Sequence, residues 1–519
     1  MLIGVLAFLA YSAALLYKED FAAYDNSQLT FYSLSGRSFG MPIWKESGRF
    51  FPLGLQEYNL IGLFSKSVFA YHSLSLLQLA VIGVCVFLLL DTGVPIKITT
   101  LSLALLSPSF IISFSGLIYP ERNIIFWVSL LLIAIKRFSQ NQRFVWFVIA
   151  VISAQSCLYY KETMFLLVGG IAAARILISI IKPSAQPDRP ETDGRNILQR
   201  YPIEVAMLLL SAVFLLLYTV EILPNVDPSA IARGDKRVSF LQAASAYAAT
   251  HYLLDAFVVV FLARLGYAAV RNRQHLNLFW DSAATGTFLY AMSYLKLGMV
   301  SAYYMAPANF LACLYLGYLL SRFLADRSTG RRSLKLAAAA IAVAMLLHQA
   351  LGQSAGYLLE RKNMIAGKAA LYSFLENRYA HQGSAPETLF FQHPSSGFRL
   401  MEFSSFLEYK GLNILDDDRQ QIPETAFLVT SKTQFEADLC VPYGRPYKCF
   451  YSQQPDSGDL IVILPEDPIS KAELETVAAA SRLVFRYQPK LNLFEQAIAH
   501  FTDVPDSELW LDAYVFEKR

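Results

Sequence analysis

The chain has 519 residues, of which 55% are hydrophobic and 16% charged, with a formal net charge of +3. With a mean hydropathy of +0.38, that composition excludes an ordinary water-soluble protein and describes an integral membrane protein. No nucleic-acid partner is expected, and the placement of the charges says more than their sum.

Apolar runs of the roughly 17–25 residues that cross a bilayer occur about eleven times, over residues 2–17, 68–90, 96–118, 124–135, 144–158, 163–181, 203–222, 252–270, 279–295, 300–323 and 334–351. The fourth and fifth are short for a span. The first lacks a basic leading region and a small-residue cleavage site before Lys18, so it reads as a span and not a removed signal. Basic residues gather in alternate connectors: Lys136, Arg137 and Arg143, then Lys182, Arg189, Arg195 and Arg200, then Arg271 and Arg273, then Arg327, Arg331, Arg332 and Lys335. Short Lys/Arg-rich loops stay in the cytoplasm, which places the N-terminus inside and the chain beyond about residue 352 outside. The first outer connector runs against this with Lys18, Arg37, Lys45, Arg49 and Lys66, and is outvoted by the four inner loops. No Asn-x-Ser/Thr acceptor occurs anywhere, which favours a bacterial inner membrane over a secretory pathway.

The expected architecture is therefore a polytopic α-helical membrane domain, residues 1–351, and a soluble extracytoplasmic α/β domain, residues 352–519. In the second, strands are predicted over 388–392, 425–430, 459–464, 482–487 and 511–517, with helices over 358–379 and 471–480. The acidic run 416–418 reads as a solvated turn, since no second acidic or His cluster with ligand spacing lies beside it.

The outer connectors hold the chemistry. The first contains Glu19-Asp20, Tyr24-Asp25-Asn26, a short amphipathic stretch ending at Gly36-Arg37, and Gly48-Arg49-Phe50-Phe51-Pro52-Leu53. The second is Tyr119-Pro120-Glu121-Arg122 and the third Tyr159-Tyr160-Lys161-Glu162, while the fourth carries Asp227, Arg233, Asp235, Lys236 and Arg237. Carboxylates beside cations on several loops at one surface suit a site that handles a phosphate and a hydroxyl together. A plainer reading stands beside this one. Glu121-Arg122 and Lys161-Glu162 would be interfacial charges ending helices, Asp20 a solvated helix end, and the Arg233, Lys236 and Arg237 group a contact to membrane lipid headgroups.

The pattern resembles the GT-C superfamily of membrane glycosyltransferases, which includes the protein O-mannosyltransferases and the lipid A aminoarabinose transferase. Asp25-Asn26 stands where the family has an acidic pair, Arg49-Phe50-Phe51-Pro52-Leu53 resembles its basic-x-Pro-Leu segment, and Lys161-Glu162 is similar to its Lys-Glu at an external helix end. Tyr303-Tyr304-Met305-Ala306-Pro307 resembles its late Tyr-x-x-Pro helix, with Lys296 standing in for the basic residue that often precedes it. Asn26 departs from the second acid, and the resemblance ends near Leu351.

The resemblance implies an inverting transfer of a sugar from a polyprenyl-phosphate carrier to an acceptor hydroxyl of an envelope glycan or lipid, on the external face. Asp25, with Asp20 as second choice, would be the general base. Lys161, Arg122, Arg233, Lys236 and Arg237 would hold the departing phosphate, with Arg49, Glu121, Glu162, Lys296 and Tyr304 also in the substrate-binding site. No nucleotide cofactor is required, and a divalent metal is admitted if Asp25, Glu121 and Glu162 converge. The rival readings are a polysaccharide polymerase or ligase, which shares the chemistry, and a lipid-linked glycan transporter, which should place charges near the midplane of several spans. Of these the spans hold few, chiefly Asp255 and Arg264.

Five cysteines occur, and Cys440 and Cys449 fall in the outer domain with Pro442, Gly444 and Pro446 between them. The segment can turn back within the ~4.4–6.8 Å Cα separation of a disulfide, so these two are expected to be bonded in an oxidising compartment. Thiol labelling of both positions in protein taken from its native compartment would refute that pairing.

Overall fold

The computed structural model describes residues 2–16, 38–181, 200–227, 238–270, 275–325, 332–380, 387–392, 428–431, 449–465, 469–493, 495–496, 500 and 512–519. Asp20, Asp25, Arg233, Lys236, Arg237 and Cys440 lie outside these residues, and so does the Cys440–Cys449 pairing.

Helices occupy all eleven predicted segments. They are α1 (Leu2–Leu16), α3 (Val68–Leu89), α4 (Val94–Leu105) with α5 (Pro108–Ser115), α6 (Glu121–Asn141), α7 (Phe144–Tyr160), α8 (Met164–Ile181), α9 (Pro202–Leu217), α11 (Tyr252–Val270), α12 (Trp280–Leu297), α13 (Ala306–Ala325) and α14 (Arg332–Ala380); α2 (Gln56–Gly62) and α10 (Phe240–Thr250) sit in connectors. Among the described residues, seven helices are long and apolar enough to cross a membrane, or eight if the bent pair α4 and α5 is one span. Leu77, Val84, Leu209, Leu216, Val259 and Met345 stay exposed on such helices, as lipid-facing side chains do.

Several boundaries differ from the predicted ones for identifiable reasons. The run 96–118 is broken by 67° between α4 and α5. Pro108 has no N–H to continue the helix and holds Ser107 extended, at ψ 136°. The short run 124–135 becomes the 21-residue α6, because its ends are charged but not free. Near one end, Lys136 donates to the carbonyls of Leu88 (3.0 Å) and Leu89 (2.8 Å) and pairs with Asp91 at 2.8 Å, covering the C-terminus of α3. At the other end lies Glu121. Helix α12 stops at Gly298, whose φ of 67° suits glycine and whose missing Cβ would lie 2.1 Å from the Val238 carbonyl oxygen.

One helix, α14, runs 49 residues straight through the expected boundary at 351/352. Beyond it stands a six-stranded sheet in the order β5-β4-β3-β6-β8-β7, built from β3 (Thr388–Phe391), β4 (Leu428–Ser431), β5 (Cys449–Tyr451), β6 (Leu460–Ile463), β7 (Ser481–Tyr487) and β8 (Ala513–Lys518). The first three pairings in that order are parallel and the last two antiparallel, so β8 alone runs against the other five strands. β6 is buried along its whole length, as a central parallel strand should be. Helix α15 (Lys471–Ala480) opens with a capping box from Ser470 and Glu473. α14 docks on this sheet through stacked Phe374 and Phe485, 4.9 Å apart, and through Arg378, which lies 2.6 Å from Glu387 and 3.7 Å from Glu517.

Within the membrane part, α8 and α12 meet where Gly170 faces Gly286, the small-residue contact that lets helices approach in lipid. A Cβ on Gly286 would lie 2.6 Å from the Leu167 carbonyl oxygen. Gly286→Ala should therefore separate the two helices and cost ~1–3 kcal/mol, read as a lowered thermal midpoint in detergent; an unchanged midpoint would contradict so close an approach.

Candidate functional site

The site begins with a local accident of the chain between α1 and α3. Strand β1 (Ile43–Trp44) turns at Gly48, φ 70°, and returns as β2 (Arg49–Phe50). The hairpin is tied down from several sides. Tyr218 donates to the Gly48 carbonyl at 2.9 Å, Leu53 N–H to the Tyr159 carbonyl at 3.1 Å, and Phe50 N–H to Glu162 Oε1 at 2.8 Å. Arg49 consequently stands with Nη1 3.9 Å from Glu162 Oε2 and donates from Nη2 to the Tyr304 hydroxyl at 3.5 Å.

Helix α7 ends because Lys161 turns extended, at φ −161° and ψ 136°. That turn swings its ammonium inward, where it donates to Glu121 Oε1 at 2.7 Å and lies 4.3 Å from the centre of the Tyr304 ring and 5.8 Å from that of Tyr303. Lys161 is 5% exposed and Glu121 not at all. Glu121 Oε2 finds no hydrogen-bond partner among the described residues. The aromatic faces supply partial negative charge around the cation. Tyr304 is itself fixed by stacking on Tyr294, 5.0 Å away, and by the Tyr290 hydroxyl, which donates to its carbonyl at 2.9 Å.

Beside this lies a second, enclosed polar group. Glu57, on α2, accepts from Asn123 Nδ2 at 2.6 Å, from Arg122 Nη2 at 3.3 Å and from the Tyr160 hydroxyl at 3.4 Å. Arg122 also donates to Ser75 Oγ at 3.0 Å and to the Tyr58 hydroxyl, and Gln78 donates to Asn123 Oδ1 at 2.7 Å. Burial pushes the Tyr58 phenol well above its usual range, against the opposing pull of the Arg122 guanidinium. Arg122 is wholly buried, so its charge serves to bolt α2 and α3 to the start of α6.

Of the residues singled out in the sequence, Arg49, Glu121, Lys161, Glu162 and Tyr304 come together at one end of the bundle. Arg122 sits in the neighbouring group, and Lys296 is exposed at the end of α12. Asp20, Asp25, Arg233, Lys236 and Arg237 lie outside the described residues, and among those described no cluster of three or more His, Cys, Asp or Glu side chains could hold a metal. Sequence reasoning passed over Glu57, Asn123, Gln78 and Tyr58. The available signal was Glu57 itself, a carboxylate four residues after Leu53 in the same connector as Arg49.

No protein-family model and no curated protein matches the chain. Among solved structures it is similar to that of ArnT from Cupriavidus metallidurans bound to undecaprenyl phosphate, with 10% identity and a TM-score of 0.49 over 99% of this chain and 97% of that one. So distant a likeness leaves the functional reading to rest on the side chains.

Removing one member of a buried ion pair strands the other. Lys161→Met should cost ~3–5 kcal/mol, most of it regained in Lys161→Met/Glu121→Leu, as measured by thermal unfolding in detergent. A double variant no more stable than the sum of the two singles would show that the pair is not coupled.

Proposed function

We propose that the chain is an inverting glycosyltransferase of GT-C type that moves a sugar from a polyprenyl-phosphate carrier to an acceptor hydroxyl of an envelope glycan or lipid. The observation that carries this reading is the convergence of Arg49, Lys161, Glu121, Glu162 and Tyr304 at one end of a bundle of apolar helices. Two cations of different accessibility are held there by carboxylates, next to surfaces that a prenyl chain can follow. On this reading the face is extracytoplasmic and the membrane a bacterial inner membrane, in accord with the basic connectors at the opposite end of the helices.

The chemistry follows from the donor. The bond from the anomeric carbon to the carrier phosphate breaks as the acceptor oxygen attacks from the other side, and negative charge grows on the leaving phosphate. Arg49, with 30% of its side chain exposed, presents a forked donor to that phosphate. Lys161 adds a fixed positive charge behind it, where exclusion of water strengthens the interaction. A carboxylate must take the acceptor proton, the role assigned to Asp25 with Asp20 as second choice. Glu162 orients Arg49 through the Phe50 amide and the ion pair. No nucleotide is needed, and a divalent metal held by Asp25 with Glu121 and Glu162 stays open as an auxiliary.

A polymerase or ligase would use the same groups. A transporter is less well supported: of the charges within the helices, Arg175 lies 2.5 Å from Glu204 and Arg264 2.9 Å from Asp281, each held in a pair.

Asp25→Asn should lower transfer by ~10²–10⁴ while leaving carrier-lipid binding intact. Arg49→Ala and Lys161→Ala should instead weaken binding of undecaprenyl phosphate in nanodiscs by roughly tenfold or more each, since a hydrogen bond to a charged group contributes ~1.5–3 kcal/mol. Unaltered lipid affinity in both cation variants would remove the phosphate site from this face.

A further inference from the structure

We infer that Arg361 and Lys362, on the part of α14 that has left the membrane, are positioning residues that hold the roots of the two connectors delivering Arg49 and Glu121. In their link to transfer they rest on the function proposed above. Five consecutive residues, Arg361, Lys362, Asn363, Met364 and Ile365, are each 4% exposed or less. With 3.6 residues per turn, five in a row cover the whole circumference, so α14 is enclosed on every side at this level. Two full cations in such a place demand partners.

The partners are helix ends. Arg361 Nη2 donates at 3.0 Å to the carbonyl of Ser115, the last residue of α5. Lys362 Nζ donates at 2.6 Å to the carbonyl of Leu15, in the last turn of α1. About two turns earlier on the same helix, Ser354 donates to the carbonyl of Leu106, which caps α4. The last carbonyls of a helix lack internal donors and carry the negative end of its dipole, so α14 meets three helix ends, two with cations and the third with the Ser354 hydroxyl. Tyr11 reinforces the arrangement, donating to the Leu105 carbonyl at 2.7 Å.

What leaves those ends gives the contact its use. α1 leads into the connector that carries the hairpin and Arg49, along with Asp20 and Asp25. α5 leads through residues 116–120 to Glu121. Both chains start from a point fixed by α14, and α14 continues without interruption onto the outer sheet. α14 thereby fixes the points from which the two connectors start, at a distance from any reacting atom.

Amide hydrogen exchange and turnover, measured together on the full-length protein in nanodiscs, test this. Lys362→Met should raise exchange in peptide 9–16 by about tenfold or more, and Arg361→Met in peptide 110–117, with peptide 476–486 of the sheet unchanged. Turnover should fall by ~10–100-fold with undecaprenyl phosphate affinity within about twofold of wild type, the signature of misplacement and not of lost binding. Lys362→Arg and Arg361→Lys, which keep the charge, should restore both readouts in large part. Unchanged exchange in both Met variants would overturn the inference, as would raised exchange with wild-type turnover. Should the wild type transfer no sugar at all, exchange alone still decides whether these cations hold the connector roots, and only the transferase reading falls.

Discussion

Burying an ammonium against a carboxylate where two helices meet the edge of a bilayer carries a desolvation cost of several kcal/mol per ion, and the neighbourhood of Lys161 and Glu121 is arranged to meet it. Their 2.7 Å contact fixes where α7 ends relative to where α6 begins. The Tyr304 ring closes the cation from the side, and Glu162, the next residue along, takes the amide of Phe50 and so brings the first connector in. Remove the pair and the hairpin, the Tyr303-Tyr304 turn and the α6–α7 junction lose their common point of reference.

Electrostatic satisfaction recurs at the other end of the helices by different means. Arg175 pairs with the buried Glu204, and Asp281, also buried, takes both Arg264 and the Tyr315 hydroxyl, while Lys136 is spread over the carbonyls that end α3. Those arrangements are locks. The arrangement around Lys161 differs in having an accessible second cation, Arg49, within reach of the same tyrosine, and a carboxylate oxygen of Glu121 without a hydrogen-bond partner among the described residues.

The membrane class and the position of every apolar helix were legible in the sequence because hydropathy acts locally and over long runs. Helix ends were not, because they are decided by contacts far along the chain: α6 extends to Glu121 because Lys161 meets it there, and α4 stops where Pro108 removes a donor. The strands of the C-terminal sheet were readable from short apolar runs, except the three-residue β5, too short to show a period. At the site, Lys161 and Glu162 announced themselves as charges at a helix end and Arg49 as a charge in the first long connector. Glu57 and Asn123 did not, since Glu57 meets Arg122 and Asn123 across more than sixty positions, which no local pattern encodes.

The unbroken course of α14 makes the C-terminal sheet and the apolar helices share one angular phase. Each residue of an α-helix advances the chain by about 100° and 1.5 Å. Loss or gain of a single residue between Ser354 and Arg361 would carry the sheet roughly a quarter-turn around the bundle while leaving every strand intact. Changes of about seven residues, close to two full turns, would nearly preserve the facing. A flexible linker would tolerate any length; this rod tolerates a periodic set, so the spacing between its membrane half and its docking half is as much a part of the architecture as any side chain.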